Sequence, residues 1–412
     1  MSREVLTQRR KSAESGVVTQ VRLGDVCEQV RGVSYKPTDA SLEPKEGYVP
    51  LLRANNIFEG VINHDDLVFV RQDRILASQY LRQGDVLVCT SSGSVKLVGK
   101  AAQIQANIHE SFGAFCRVLR PNARLSARYF HHYFQSETYR KKISNKAAGA
   151  NINNIRSEDL DELLIPLTPL AEQRRIAAKL DLLCDIIAKR KQQLVQLQQL
   201  VKSRFVEMFG DTFSNPMGWP SKTFEEAGKR LSDGPFGSNL KSSHYSDSGI
   251  RVIRLGNIGV GKFIDEDRAF IPREHYEKLK KYTCRAGEIV IGTLGDPNLR
   301  ACLVPANIDV AVNKSDCVHY LPKKELLDEQ YVCWYLNAPG TLKLAASMIH
   351  GQTRSRVSSG QIARMPIRIP PLALQREFAA FVEKVDKLAF AVRKSLESAE
   401  KLYRQQLSEA FA

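Results

Sequence analysis

Four polar loops, in two matching pairs, carry the side chains of this chain best suited to chemistry. TSSGSVK (90–96) and GTLGDPNLR (292–300) form one pair; AAGANINNIR (147–156) and HGQTRSRVS (350–358) form the other. The first half offers Ser91, Ser92, Ser94, Lys96, Asn151, Asn153, Asn154 and Arg156. The second offers Thr293, Asn298, Arg300, Gln352, Thr353, Arg354 and Arg356. Arginine can donate two parallel hydrogen bonds to guanine, and asparagine or glutamine can pair with adenine, so these residue types in turns fit the reading of base edges. Taken one at a time, each also fits a solvated surface loop.

Bond-making chemistry finds no comparable support. No GxxxxGK[ST] phosphate loop, HExxH, GxSxG or metal-spaced His/Cys cluster occurs. His131 and His132 are adjacent in an expected helix, where neighbours point to different faces, which argues against a shared metal. DGPF (233–236) superficially resembles an amino-methyltransferase motif, but Gly234 stands where proline belongs and no Gly-rich cofactor loop precedes it. A turn is the better reading. GVGKF (259–263) reads as a hairpin turn. The eight cysteines form no CxxC pair, so they are expected to be reduced and buried. Sixty Lys and Arg against 45 Asp and Glu give +15, which favours a polyanionic partner. Of these, 45 basic and 35 acidic residues lie outside 170–208 and 372–412. No apolar run reaches the ~20 residues of a membrane span, and the polar N-terminus lacks a signal-peptide core, so a cytoplasmic protein without membrane contact is expected.

The loops are positioned by a long internal repeat. VPLLRANNI (49–57) matches IRVIRLGNI (250–258), keeping Arg53/Arg254 and Asn56/Asn257. LRQGDVLV (81–88) matches CRAGEIVI (284–291), YFHHYF (129–134) matches YVCWYL (331–336), Gly149 matches Gly351, and IPLTPLAEQRR (165–175) matches IRIPPLALQRE (367–377). The offset drifts only between 201 and 203. Within each copy, short apolar runs bounded by Gly, Pro and Asn predict strands, followed by helices over 128–143 and 329–339. The framing elements match while the loops differ, which suggests one scaffold presenting two different readers.

Each copy ends in a heptad seam. Ile176, Leu180, Leu183, Ile187, Leu194, Leu197, Val201 and Met208 recur in steps of three and four, with Arg190 and Arg204 in the two missing slots. Phe378, Val382, Val385, Ala389, Val392, Leu396, Ala399, Tyr403 and Ala410 keep the same phase. A 3.5-residue period with a narrow stripe predicts an antiparallel coiled coil. The alternative is two amphipathic helices, each packed on its own domain. Each helix of ~39 residues would be ~58 Å long at 1.5 Å per residue. The expected fold is α+β: a pseudo-two-fold repeat of mixed α/β domains joined by these helices. Its parts are a flexible N-terminus (1–16), a first domain (17–169), a central helix (170–210), a second domain (211–369) and a C-terminal helix (370–412). Residues 207–221 are expected to form the linker into the second copy.

The segments IPLTPLAEQRRIAAKLD (165–181) and IPPLALQREFAAFVEKVD (369–386), with QVRLGDV, WPSKTFEEA, DGPFGSNLK and IRLGNI, resemble the specificity subunits of Type I restriction-modification enzymes. The resemblance covers nearly the whole chain from Val17. It departs at Leu374, where the first copy has Glu172, a residue expected to serve the helix start electrostatically. The resemblance implies target recognition domains that each read half of a split, asymmetric site in double-stranded DNA, and helices that space them and dock two modification subunits. It also implies that the chain holds no cofactor: S-adenosylmethionine would belong to the modification subunits, ATP and Mg to restriction subunits. The footprints would lie no more than ~17 base pairs apart, with ~10 favoured for domains facing one side of the duplex. The competing readings are a stand-alone DNA methyltransferase or nuclease, and a scaffold without DNA contact.

Overall fold

The Arg and Asn matches that mark the repeat become two copies of one turn. A computed structural model describes residues 18–94, 97–147, 154–348 and 356–412. The buried Asn56 carboxamide accepts from the Arg53 N–H at 2.8 Å and donates to the Asn63 and Asp65 carbonyls at 2.9 and 2.8 Å. Asn257 accepts from the Arg254 N–H at 2.8 Å and donates to Ile264 and Asp267 at 2.9 and 2.7 Å. Both amide donors of each side chain are therefore satisfied, as burial requires.

The preceding strands sit in equivalent sheets. Tyr48–Leu52 runs antiparallel to Val68–Arg71 and parallel to Ser111–Phe112. Ile250–Ile253 runs antiparallel to Ala269–Ile271 and parallel to Val310–Asn313. The copies differ at the edges, where Ala40–Ser41 extends the first sheet and Thr283–Arg285 the second. A second antiparallel sheet in each copy has the order Cys27–Arg31, Cys116–Pro121, Val86–Cys89, Ala101–Gln103, or Gly228–Ser232, Cys317–Pro322, Ile289–Gly292, Arg300–Leu303. The GDVLV and GEIVI runs become wholly buried strands within these sheets.

The helix expected over 128–143 is two helices, Ala127–Gln135 and Glu137–Ala147. Ser136 is extended between them, its hydroxyl donating to Tyr133 O and accepting from the Tyr139 N–H. In the second copy Ala338 is extended between Glu329–Asn337 and Pro339–Ser347, as a residue before proline prefers.

The long helices are Leu170–Phe209 and Leu372–Ala410. The glutamine of the PLAEQ-type signature explains how each begins. Gln173 is buried, accepts from the Ser126 N–H at 2.8 Å and donates to the Arg124 and Thr168 carbonyls. Gln375 accepts from the Asp328 N–H at 2.9 Å and donates to Leu326 and Pro370. Glu172 pairs with Arg175 at 2.7 Å, and the pair holds its carboxyl below the usual range. The central helix ends at Phe209, within its expected bound of 210, and is closed by Gly210. Its φ of +77° is the left-handed conformation that terminates helices, and Trp219 Nε1 donates to the freed Phe209 carbonyl at 3.0 Å.

The chain forms two compact units: one runs to Lys191 and takes in Lys394–Ala412, and the other is Gln192–Arg393. Each unit thus holds one sheet-bearing half and a segment of both long helices. In the first unit Lys179 meets Gln406 and Lys191 lies 3.7 Å from Glu400, so the segments run antiparallel. Ala177 and Leu180 share a core with Leu407 and Phe411, with Ile176 and Tyr403 packed against it. In the second unit Arg204 pairs with Glu377 at 3.0 Å, and Phe205 and Phe209 lie 5.4 and 5.5 Å from Phe378. Val201, Val382 and Val385 share that core and Leu197 packs on it.

The seam is therefore antiparallel but uneven. Leu183, Ala389, Val392 and Ala399 are buried, whereas Ile187, Leu194 and Leu396 are half-buried. Aromatic residues outside the expected seam close its ends. Phe411 lies 4.8 and 5.7 Å from Tyr129 and Tyr133, and Phe209 lies 4.8 Å from Tyr331. In the first unit a polar cluster adjoins the pairing. His132 bonds Asp181 at 2.8 Å and lies 3.4 Å from the Tyr403 hydroxyl, while Arg128 also grips Asp181. Burial alone would raise the Asp181 pKa, but the bonds from His132 and Arg128 outweigh it and hold the carboxyl well below its usual range. Burial pushes His131 down to about 3, so its ring stays neutral. All eight cysteines are free, and seven are buried.

Candidate nucleic-acid interface

Thr90 and Thr293, at equivalent places in the two copies, build the same clasp in both units. In the first, the Thr90 N–H and hydroxyl both donate to Phe115 O, at 2.9 and 3.2 Å, and Thr90 O accepts from the Ile155 N–H at 2.8 Å. In the second, the Thr293 N–H and hydroxyl both donate to Asp316 O at 3.0 Å, and Thr293 O accepts from the Val357 N–H at 3.0 Å. The next residues form isolated antiparallel bridges, Ser91 with Asn154 and Leu294 with Arg356. Within each unit the two polar loops of that copy, one from each pair, are thus brought together.

A third segment joins them through glycine. A Cβ on Gly32 would lie 2.1 Å from Gly113 O, and one on Gly234 would lie 2.3 Å from the Lys314 carbonyl, so neither position accepts a side chain. This close approach delivers Tyr35 to the first site and Phe236 to the second. The DGPF turn is therefore part of the second loop cluster, with Asp233 bonded to Ser359.

On this shared clasp the presented chemistry differs. The first unit has an open groove of about 1270 Å³ lined by Tyr35, Leu42, Arg53, Ser91, Ser92 and Phe115. Phe115 is 70% exposed there, and Asn154 is exposed on the bridge strand. At the corresponding places the second unit has Asp316 and Arg356, whose Oδ1 and Nη2 are 2.9 Å apart, with the Arg356 guanidinium 5.9 Å from the Phe236 ring.

Several expected contact residues turn out to brace the loops. Thr293 is 1% exposed and its hydroxyl is committed to Asp316 O, so it does not present to a base. Arg300 is half-buried, with Nε donating to Ile258 O at 3.1 Å and Nη2 to Leu294 O at 3.4 Å, so it ties the loop down. Ser92 Oγ accepts from the Ser94 N–H at 3.2 Å. Ser94, Asn154 and Arg156 are exposed, while Ser91 and Asn298 are half-buried. Lys96, Asn151, Asn153, Gln352, Thr353 and Arg354 lie outside the described residues. Sequence reasoning missed Phe115, Phe236 and Asp316. A signal existed for two of them, because Phe115 and Asp316 precede the matched Cys116 and Cys317 yet differ sharply in type. Among the described residues no group of three or more His, Cys, Asp or Glu is placed to hold a metal ion, and no helix is long and apolar enough to cross a membrane.

The chain thus combines duplicated α+β domains, long antiparallel helix segments and two unlike loop sites on one clasp. Residues 17–199 match the family model of the Type I restriction modification DNA specificity domain. The chain is 29% identical over 383 residues to the Type I restriction enzyme EcoKI specificity subunit of Escherichia coli strain K12, covering 90% of this chain and 82% of that protein. It is also 29% identical over 388 residues to the StySPI specificity subunit of Salmonella potsdam, with the same coverage. Its fold matches a chain from a structural study of complex assembly and conformational transition of the type I R-M system, at a TM-score of 0.57 and 20% identity, covering 96% of this chain and 97% of that one. The S subunit of a Type I restriction-modification system from M. genitalium gives 0.55 at 16% identity, covering 97% of each. The chain is thus similar, over nine-tenths of its length, to specificity subunits of Type I restriction-modification systems.

Proposed function

We propose that this chain selects the DNA sequence for a cytoplasmic Type I restriction-modification complex. Each domain reads one half of a bipartite, asymmetric site in double-stranded DNA through its clasped loops. One observation carries this reading: identical threonine clasps present Asn154 and Phe115 in one unit and Arg356 and Asp316 in the other. A scaffold without DNA contact has no use for two unlike sets of presented side chains on one frame.

The long helices set the gap between the half-sites and dock two modification subunits. Exposed Val195, Leu388 and Phe390 in one unit, and Leu182 and Leu402 in the other, give those helices apolar surface for partners. The chain itself holds no cofactor; the modification subunits bring S-adenosylmethionine, and restriction subunits bring ATP and Mg. In a transfer assay with double-stranded DNA and labelled S-adenosylmethionine, the purified chain is expected to incorporate no methyl groups until a modification subunit is added. Transfer by the isolated chain would overturn the assignment in favour of a stand-alone methyltransferase.

A further inference from the structure

We propose that Arg356 reads a guanine in the half-site bound by the second domain, and that Asp316 and Phe236 are positioning residues that hold it ready. This rests on the DNA-reading role given above. Arg356 sits where the loops of the second unit converge, on the bridge to Leu294, with its side chain 39% exposed. Its Nη2 is 2.9 Å from Asp316 Oδ1, its guanidinium lies 5.9 Å from the Phe236 ring, and its Nε is shielded with no protein partner. Holding a long side chain in one orientation before binding removes much of the rotamer entropy that would otherwise oppose a base contact.

Guanine is selected by what a positioned guanidinium can satisfy. Only guanine shows two adjacent acceptors, O6 and N7, in the major groove; adenine and cytosine each present an amino donor there, and thymine has one acceptor. A phosphate is a poorer partner at this place. The Asp316 carboxylate beside Arg356 repels a second anion, whereas the guanine edge is neutral.

The simpler alternative is that the ion pair only fastens the loop, and the first unit argues against it. There the same clasp and bridge form with Asn154 and Phe115 at these two places, so the frame does not depend on a cation and a carboxylate. The Arg356 and Asp316 pair is an addition to a frame that stands without it.

The test uses the full chain assembled with its modification subunits, and duplexes carrying its mapped recognition site. 7-Deazaguanine, which lacks the N7 acceptor, is placed at each guanine of the second block in turn. For the wild type, one such position is expected to weaken binding by about 5-fold or more. Arg356→Ala should weaken binding to the intact site by about 5- to 150-fold and abolish the response to 7-deazaguanine at that position alone. Arg356→Lys should not restore it, and Asp316→Asn should diminish the response at the same position. Responses in the first block should be unchanged in every variant. A second block without guanine overturns the proposal with no variant needed. So does an Arg356→Ala complex that weakens on all sequences alike or keeps every 7-deazaguanine response. A wild-type complex with no sequence preference would instead defeat the specificity-subunit reading itself.

Discussion

Replacing residues 211–369 with the corresponding segment of a relative is expected to exchange the second block of the recognised DNA sequence, leaving the first block and the gap unchanged. The segment carries every described reader of the second unit, including Phe236, Asp316 and Arg356. It is bounded by Gly210, which ends the central helix, and Pro370, which precedes the other. Its joints to the retained helix segments rely on groups that a foreign segment would keep. Gln375 bonds only backbone atoms of Leu326, Asp328 and Pro370, and Phe205 and Phe209 pack on Tyr331, a position that is tyrosine in both copies. The contact between Thr212 and Thr341 is carried within the segment. Preference for the old second block over random DNA should therefore be lost, on the order of 10³-fold or more, and reappear for the donor's block. Mapping methylated sites made by the swapped complex checks this. A change in both blocks would show that the domains do not read separately.

The second large effect is on stability. Phe378→Ala should lower the stability of the unit containing it by about 3–5 kcal/mol, because a fully buried aromatic is replaced by a cavity that its neighbours only partly fill. Phe205, Phe209 and Trp334 all pack on this ring, so the loss falls where the two helices and the second domain meet. For a unit of about 200 residues, that corresponds to a drop in melting temperature of about 10 °C. Phe378→Asp should do more, since it buries an unpaired charge. Val195→Ala, on the same helix pair but 68% exposed, should change the melting temperature by about 1 °C or less. Thermal unfolding of the three variants decides it. Equal melting for Phe378→Ala and Val195→Ala would mean that helix pairing does not hold the unit together.

The repeat was legible because its matched residues answer the same structural demands twice. Asn56 and Asn257, Gln173 and Gln375, and Tyr129 and Tyr331 are buried polar side chains bonded to equivalent backbone groups, so their types are tightly constrained. The heptad seam was legible for the same reason. Its aromatic ends were not, because Phe205, Phe209 and Phe411 widen a two-position stripe to meet tyrosines of the domains. Their positions, matched with Leu407 for Phe205 and with each other for Phe209 and Phe411, carried that signal unread. The break at Ser136 escaped notice since a serine inside an apolar helical pattern gives no local warning.

In the reader loops, residue type was informative and direction was not. Thr293 and Arg300 turn inward because carbonyls 23 and 42 residues away, on Asp316 and Ile258, are brought beside them by sheet pairing. Conversely, Phe115 and Phe236 look like core residues by type and become exposed only through the close approaches at Gly32 and Gly234.

In the proposed function, two unlike readers on one frame divide a single DNA site between them. It is tested most directly by mapping methylated positions in the DNA of a host carrying this gene with its modification-subunit gene. The expected sequence is two short, unlike blocks separated by an unread gap of constant length. One continuous methylated run, or a pattern that persists when this gene alone is removed, would contradict it.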